Sequence, residues 1–277
     1  MRSLFRRGIH FLLIALAAFV LSIQASADTV NLGTDYLQTL PGTFFNFTLP
    51  GLGTVPVPFM GNPIGPGNTD TIVERLANAT VTPGGSGDTI PIKLVALSLQ
   101  STSPVDVGGT FFNVFVTLDP TKLSKNTGFM TILENAPGTG GTFSSIFTVF
   151  FQAKFVPVGG GTGFSVFSSL VLQNGVPGSG VGAAWISTFP PGFVQVTGPC
   201  GDQDANVHTG CPAGHLDFFP ILIKEKHPSG AGRHVVRPAC SLTEPCPPIV
   251  PEPATLTLFA TGMGMTGLLG LRRRRRN

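Results

Sequence analysis

Charge is scarce in this chain: Asp, Glu, Lys and Arg make up 11% of its 277 residues. Much of the positive charge sits at the two ends, so nine basic residues face thirteen acidic ones between Asp28 and Val250. A mildly acidic body lacks the concentrated basic face that phosphate backbones require, and a nucleic-acid partner is not expected. Disorder is the competing idea, but 23 Phe and a positive mean hydropathy are too apolar for a solvated coil. The sequence is equally poor in catalytic signatures. Neither Ser86 nor Ser179 lies in G-x-S-x-G, no Gly-rich loop has phosphate-binding form, and no carboxylate pair is flanked by an aromatic cleft. No catalytic residue and no cofactor are therefore assigned, and the chain is not expected to be an enzyme.

Phe, Val, Thr, Ser and Gly dominate, with 25 prolines spread through the chain, a composition that suits strands and turns. In "TFSSIFTVFFQAKFV", period-two spacing places Phe143, Phe147, Val149, Phe151, Ala153 and Phe155 on one face. "FFNVFVTL" repeats this with Phe112, Val114, Val116 and Leu118, and "FSVFSSLVLQNG" with Phe164, Val166, Leu170 and Leu172. "DTIPIKLVALSLQS" reads as a fourth strand or a pair of short ones, Gly159-Gly160-Gly161 as a hairpin or long-loop connection, and Asn174-Gly175 as a tight turn. Strands at short spacing, each with a single apolar face, predict an all-β fold, an antiparallel β-sandwich. "NTDTIVERLANAT" departs from the pattern and predicts one or two helical turns behind Asp70, with Asp70, Glu74 and Arg75 in a surface polar cluster. "GTFFN" at Gly42 and again at Gly109 is read as shared turn and strand chemistry, not as duplication.

The ends carry a different signal. Arg2, Arg6 and Arg7 precede the apolar run Phe11 to Leu21, and Ala25-Ser26-Ala27 follows, which predicts a signal peptide cut before Asp28. At the other end Ala254 to Leu271 is an uncharged stretch of 18 residues. As a helix it would reach about 27 Å, enough to cross a bilayer core once. Arg272, Arg273, Arg274, Arg275 and Arg276 would stop it with the C-terminus in the cytoplasm. Pro251-Glu252-Pro253 ahead of the span is a rigid, extended strip of the kind a protease or transpeptidase cleft can grip.

Pro-Glu-Pro, a single span and a terminal arginine cluster, in that order, resemble the PEP-CTERM sorting signal of Gram-negative bacteria. The resemblance implies recognition by an exosortase, a membrane-embedded cysteine transpeptidase-like enzyme that removes the tail. It also implies delivery to the cell surface or to an extracellular polysaccharide matrix.

Cys200, Cys211, Cys240 and Cys246 are the four cysteines of the chain. In an exported protein they read as two disulfides, Cys200 to Cys211 and Cys240 to Cys246 by proximity, although four cysteines allow three connectivities. The alternative is a metal site with His208, His215, His227 or His234, against which no CxxC or HxxxH spacing appears. "GDQDANVHTG" sets Asp202, Asp204 and Asn206 at alternate positions, as a calcium loop sets its first ligands. Val207 stands where an EF-hand requires Gly, and an Asx-rich turn is the competing reading.

Four segments follow: a signal peptide (1–27), a β-sandwich (28–196), a Cys/Pro/His-rich terminal strand and spacer (197–250), and the sorting signal (251–277). The expected protein is a non-catalytic surface or matrix protein, held transiently in the inner membrane and in contact with exosortase and extracellular polysaccharide. A secreted hydrolase with residues scattered in sequence, or a calcium-dependent adhesion module, are the alternatives.

Overall fold

The computed structural model describes residues 27–49, 53–187, 192–194, 196–197, 203–204, 206–208 and 215–242. In chain order the first strands are β1 (Asp28–Val30), β2 (Gly33–Thr39), β3 (Thr43–Leu49), β4 (Gly53–Gly61), β5 (Thr71–Arg75) and β6 (Ala79–Val81). There follow β7 (Asp88–Ser101), β8 (Val105–Val107), β9 (Thr110–Leu118), β10 (Thr127–Ala136), β11 (Gly140–Pro157), β12 (Phe164–Asn174) and β13 (Ala183–Ile186). Short strands β14 (Val196–Thr197), β15 (Gln203–Asp204), β16 (Asn206–His208), β17 (His215–Leu216) and β18 (Phe219–Pro220) precede β19 (Ile223–Lys226) and β20 (Gly232–Pro238). Among the described residues the one helical element is a 3₁₀ turn at Leu123–Lys125, and no helix is long and apolar enough to cross a membrane.

The expected all-β, antiparallel character holds. β11 is the organising strand: its odd-numbered residues from Phe143 to Phe155 are buried, as the spacing predicts, and the one even-numbered residue buried with them is Ser144. It pairs with β12 along one edge and with β10 and then β9 along the other. Hydrogen bonding continues from β9 to β7, β4, β3, β20 and β19, and returns to β12 through Gln173 and Lys226. The path therefore closes on itself in a sandwich-like all-β fold. Its two inner faces meet in rings: Phe45 and Phe47 of β3 lie 5.6 and 6.0 Å from Phe151, and Phe47 lies 5.7 Å from Phe155.

"DTIPIKLVALSLQS" forms one strand, β7, not two. Its buried positions run Ile90, Ile92, Leu94 and then Leu97, Leu99, Ser101. Parity switches because the register against β5 jumps between Ile72 and Val73, which face Ala96 and Leu94. A one-residue bulge lets a single long strand keep its apolar side inward on both halves.

Four local expectations are corrected. Thr71 to Arg75 is a strand, not helical turns: Thr71, Ile72 and Val73 are β-branched, and Thr71, Val73 and Arg75 all turn inward while pairing with β2 and β7. The surface cluster of Asp70, Glu74 and Arg75 does not form, because Asp70 and Arg75 are both 1% exposed and Arg75 pairs with Asp35. Asn174-Gly175 does not close a tight hairpin. It opens a longer loop, and the strand that follows pairs with β11. The single terminal strand expected in 197–250 is instead several: "LDFFPILIKEK" carries β18 and β19, and β20 follows, sitting between β19 and β3 in the main sheet.

The glycine hairpin is borne out, with Phe155 of β11 directly opposite Phe164 of β12. The "GTFFN" segments begin β3 and β9 behind Gly42 (φ +96°) and Gly109 (φ +85°), a region that favours glycine. The two strands have different neighbours, as shared turn chemistry requires.

Candidate functional site

The described residues hold two arrangements with functional potential, one buried and one on the surface. The buried one joins β2, β19, β20 and the residue before β5. Cross-strand pairing of Glu225 with His234 brings carboxylate and imidazole together, with His234 Nδ1 3.4 Å from Glu225 Oε2. His234 Nε2 lies 3.1 Å from Thr39 Oγ1. That hydroxyl donates to Asp70 Oδ1 at 2.6 Å, and Asp70 also accepts from Thr39 N–H at 2.7 Å and Thr71 Oγ1 at 2.7 Å.

Hydroxyl, imidazole and carboxylate in sequence have the outline of a nucleophilic triad, but the proton direction is wrong for one. Thr39 spends its proton on Asp70, so its oxygen accepts from His234 Nε2–H and cannot pass a proton to the ring. Burial pushes the Asp70 carboxyl above the usual range, and the donors from Thr39 and Thr71 oppose that shift. Thr39, Asp70, Glu225 and His234 are all buried. Glu225 borders an interior cavity of about 20 Å³ that also touches Asp35 and Thr71, room for a single water. The network ties β2, β5, β19 and β20 together and has the burial of a structural brace.

A second acidic contact lies at Glu134 on β10. Its Oε1 accepts from Gly138 N–H at 2.8 Å, and its Oε2 is buried. Burial, together with the carboxyl of Asp28 beside it, pushes Glu134 up to about 7. A carboxyl raised on folding binds more protons in the folded chain than in the unfolded one, so stability falls as pH rises from about 4.5 to about 7. Glu134→Gln should flatten that decline and raise Tm above pH 7, because an amide can donate to Asp28 where an ionised carboxylate cannot. Thermal unfolding at pH 5 and pH 8 checks this, and an unchanged difference between the two pH values would contradict it.

The surface arrangement is the outward side of β9, β11 and β12. Register aligns Phe115, Lys154 and Ser165 in one cross-strand row and Thr117, Gln152 and Phe167 in the next. Phe167 is 58% exposed and Phe111, further along β9, is 56% exposed. Gln152 Nε2 donates to Ser165 Oγ at 3.0 Å, and Lys122 Nζ sits 4.9 Å from the centre of the Phe150 ring. Beyond Phe111 the face runs into an open groove of about 540 Å³ between the β8–β9 and β11–β12 connections, floored by Phe111, Pro157 and Val158. An open outer surface with exposed rings and uncharged hydrogen-bonding groups suits contact with an extended ligand more than enclosure of a small one.

These surface rings escaped the sequence reading, which tracked the inward set alone. The available signal was the second aromatic series: "FFNVFVTL" carries Phe111 and Phe115 at the positions its apolar face does not use, and Phe167 does the same in β12. An aromatic on both sides of a strand marks an outer face with its own contacts to make.

Of the residues singled out from sequence, Pro251, Glu252, Pro253 and Arg272 to Arg276 lie outside the described residues, as do Cys200, Cys211, Cys246 and Asp202. Asp204 and Asn206 fall in β15 and β16, and their side chains lie outside the description. Cys240 is buried and disulfide-bonded. His227 and His234 lie on the β19–β20 hairpin, where His227 Nδ1 accepts from Ser229 N–H at 3.1 Å and His234 meets Glu225 and Thr39. Among the described residues no group of three or more His, Cys, Asp or Glu is arranged to hold a metal ion. Comparison with protein families, curated proteins and solved structures finds no match for this chain.

Proposed function

We propose that this chain is an exported, non-catalytic protein of the cell surface or extracellular matrix, built on a β-sandwich body and sorted by its own C-terminal signal. Residues 1–27 act as a cleaved signal peptide, and Ala254 to Leu271 tether the exported body in the inner membrane. Exosortase then grips Pro251-Glu252-Pro253 and removes the tail. The observation that carries the reading is the order of features at the C-terminus: a stiff strip, one apolar span and five consecutive arginines. Guanidinium groups do not cross hydrocarbon cheaply, so the cluster fixes the span and holds the strip at the outer membrane face where an enzyme can reach it.

The body supports a role in contact more than in chemistry. Its one hydroxyl–imidazole–carboxylate chain among the described residues is buried and polarised against nucleophilic attack, whereas its exposed rings lie on an open face. In a strain lacking exosortase, the full-length chain should accumulate in the inner membrane and vanish from the surface fraction. Unchanged surface delivery of the protein in that strain would remove the proposed route.

A further inference from the structure

We propose that the outward face of β9, β11 and β12 binds an anionic polysaccharide strand, with Phe111, Phe115 and Phe167 as stacking platforms. The assignment deepens the reading of the protein as a matrix component, and it rests on the geometry and charge of this face.

Phe115 and Phe167 sit on strands separated by β11 and in adjacent rows, about 12 Å apart at ordinary strand spacing and rise. Phe111 lies four residues along β9 from Phe115, about 14 Å away. Three rings so spaced along one outer face can each meet the apolar face of a different sugar along one extended chain. Asn113, Gln152 and Ser165 lie between them and supply the donors and acceptors that sugar hydroxyls need.

Charge selects the ligand. The body as a whole is acidic, yet the outward residues of β9, β11 and β12 include no carboxylate, and Lys154 and Lys122 bring two ammonium groups to the face, of which Lys122 also meets the Asp119 carboxylate just past the end of β9. Asp106, which pairs with Phe111 at the rim, has its Oδ1 engaged by Gly109 N–H at 2.8 Å. An acidic chain is therefore repelled by most of the protein and tolerated here. A second copy of this chain fits less well, since a two-fold contact through the face would bring lysines toward lysines, and the three strands themselves offer no outward carboxylate to meet Lys154. A lipid surface would be met best by a protruding apolar tip, whereas these rings are spread along a sheet with amide and hydroxyl groups between them.

Affinity electrophoresis of the full-length chain through gels containing polygalacturonate, or a neutral glucan of similar length, tests the proposal, with phosphatidylglycerol vesicles assayed by flotation. Polygalacturonate should retard the protein more than the neutral glucan does. Phe167→Ser should weaken that binding about three- to tenfold, the range of one aromatic contact. Lys154→Gln should weaken it and reduce its dependence on salt, while Leu76→Ser, an exposed apolar change on another part of the body, should leave it unaltered. Equal retardation by the two polymers, a Phe167→Ser variant that binds as well as the parent, or binding to vesicles alone would overturn the proposal. Polymer binding is read independently of tail removal, so a failure here leaves the sorting route standing, and an unprocessed tail leaves this face to be judged by its own assay.

Discussion

Arg75→Ala is expected to lower Tm by about 10 °C, the result of losing about 3–5 kcal/mol when a buried pair is broken from one side. Arg75 is 1% exposed and meets Asp35 through two contacts, Nε to Oδ2 at 3.1 Å and Nη2 to Oδ1 at 3.3 Å. Its Nη1 donates to the carbonyl of Asn31, and the guanidinium lies 5.0 Å from the centre of the Phe218 ring. Burial pushes the Asp35 carboxyl up, and the charge and hydrogen bonds of Arg75 pull it back. Removing the guanidinium leaves that carboxyl buried with its compensation gone. Arg75→Lys should recover part of the loss, since an ammonium restores the charge but not the two-pronged geometry. In the double variant Asp35→Asn/Arg75→Met the penalty should be well below the sum of the two single changes, because most of the cost comes from orphaning one partner. A Tm for Arg75→Ala within 2 °C of the parent would contradict this account of the pair.

Phe151→Ala should cost about 3–5 kcal/mol, the range for deleting a large aromatic side chain from a packed core. Phe151 is 2% exposed at the junction of the two layers, 5.6 Å from Phe45 and 6.0 Å from Phe47, the latter ring standing at 90° to it. Because β3 and β11 are remote in sequence and belong to opposite layers, the resulting cavity opens where the layers are held together. Denaturant midpoints supply the measurement. Phe167→Ser, on the outer side of the adjacent strand, is the contrast, with an effect expected within about 0.5 kcal/mol. If the two substitutions cost the same, the assignment of inner and outer faces would be wrong.

Strand identity was legible in the sequence where apolar residues recurred strictly at every second position, which is why β9 and β11 match their predicted inward residues. Legibility failed where tertiary context overrode local pattern. Ile72, Val73 and Leu76 have helical offsets, but between β2 and β7 the segment is drawn out as a strand that carries Arg75 inward to Asp35. No local rule places a buried arginine, because the partner that makes it tolerable lies 40 residues earlier in the chain. β20 was hidden for a related reason: Arg233, His234 and Arg237 break its apolar pattern, and His234 is acceptable inside only because Glu225 and Thr39 receive it. The outer rings were readable as residues but not as a face, since the register that aligns β9, β11 and β12 comes from long-range pairing. The terminal signals differ again, because their information lies in the order of short local features.

The central claim is that the C-terminal span is a temporary tether, removed when the protein reaches the surface. Mass spectrometry of the C-terminal peptide of the surface form, recovered from the native host, tests it most directly. The account predicts a peptide that ends at or near Pro251-Glu252-Pro253 and lacks Arg272 to Arg276. A surface form that still ends in Asn277 would contradict it.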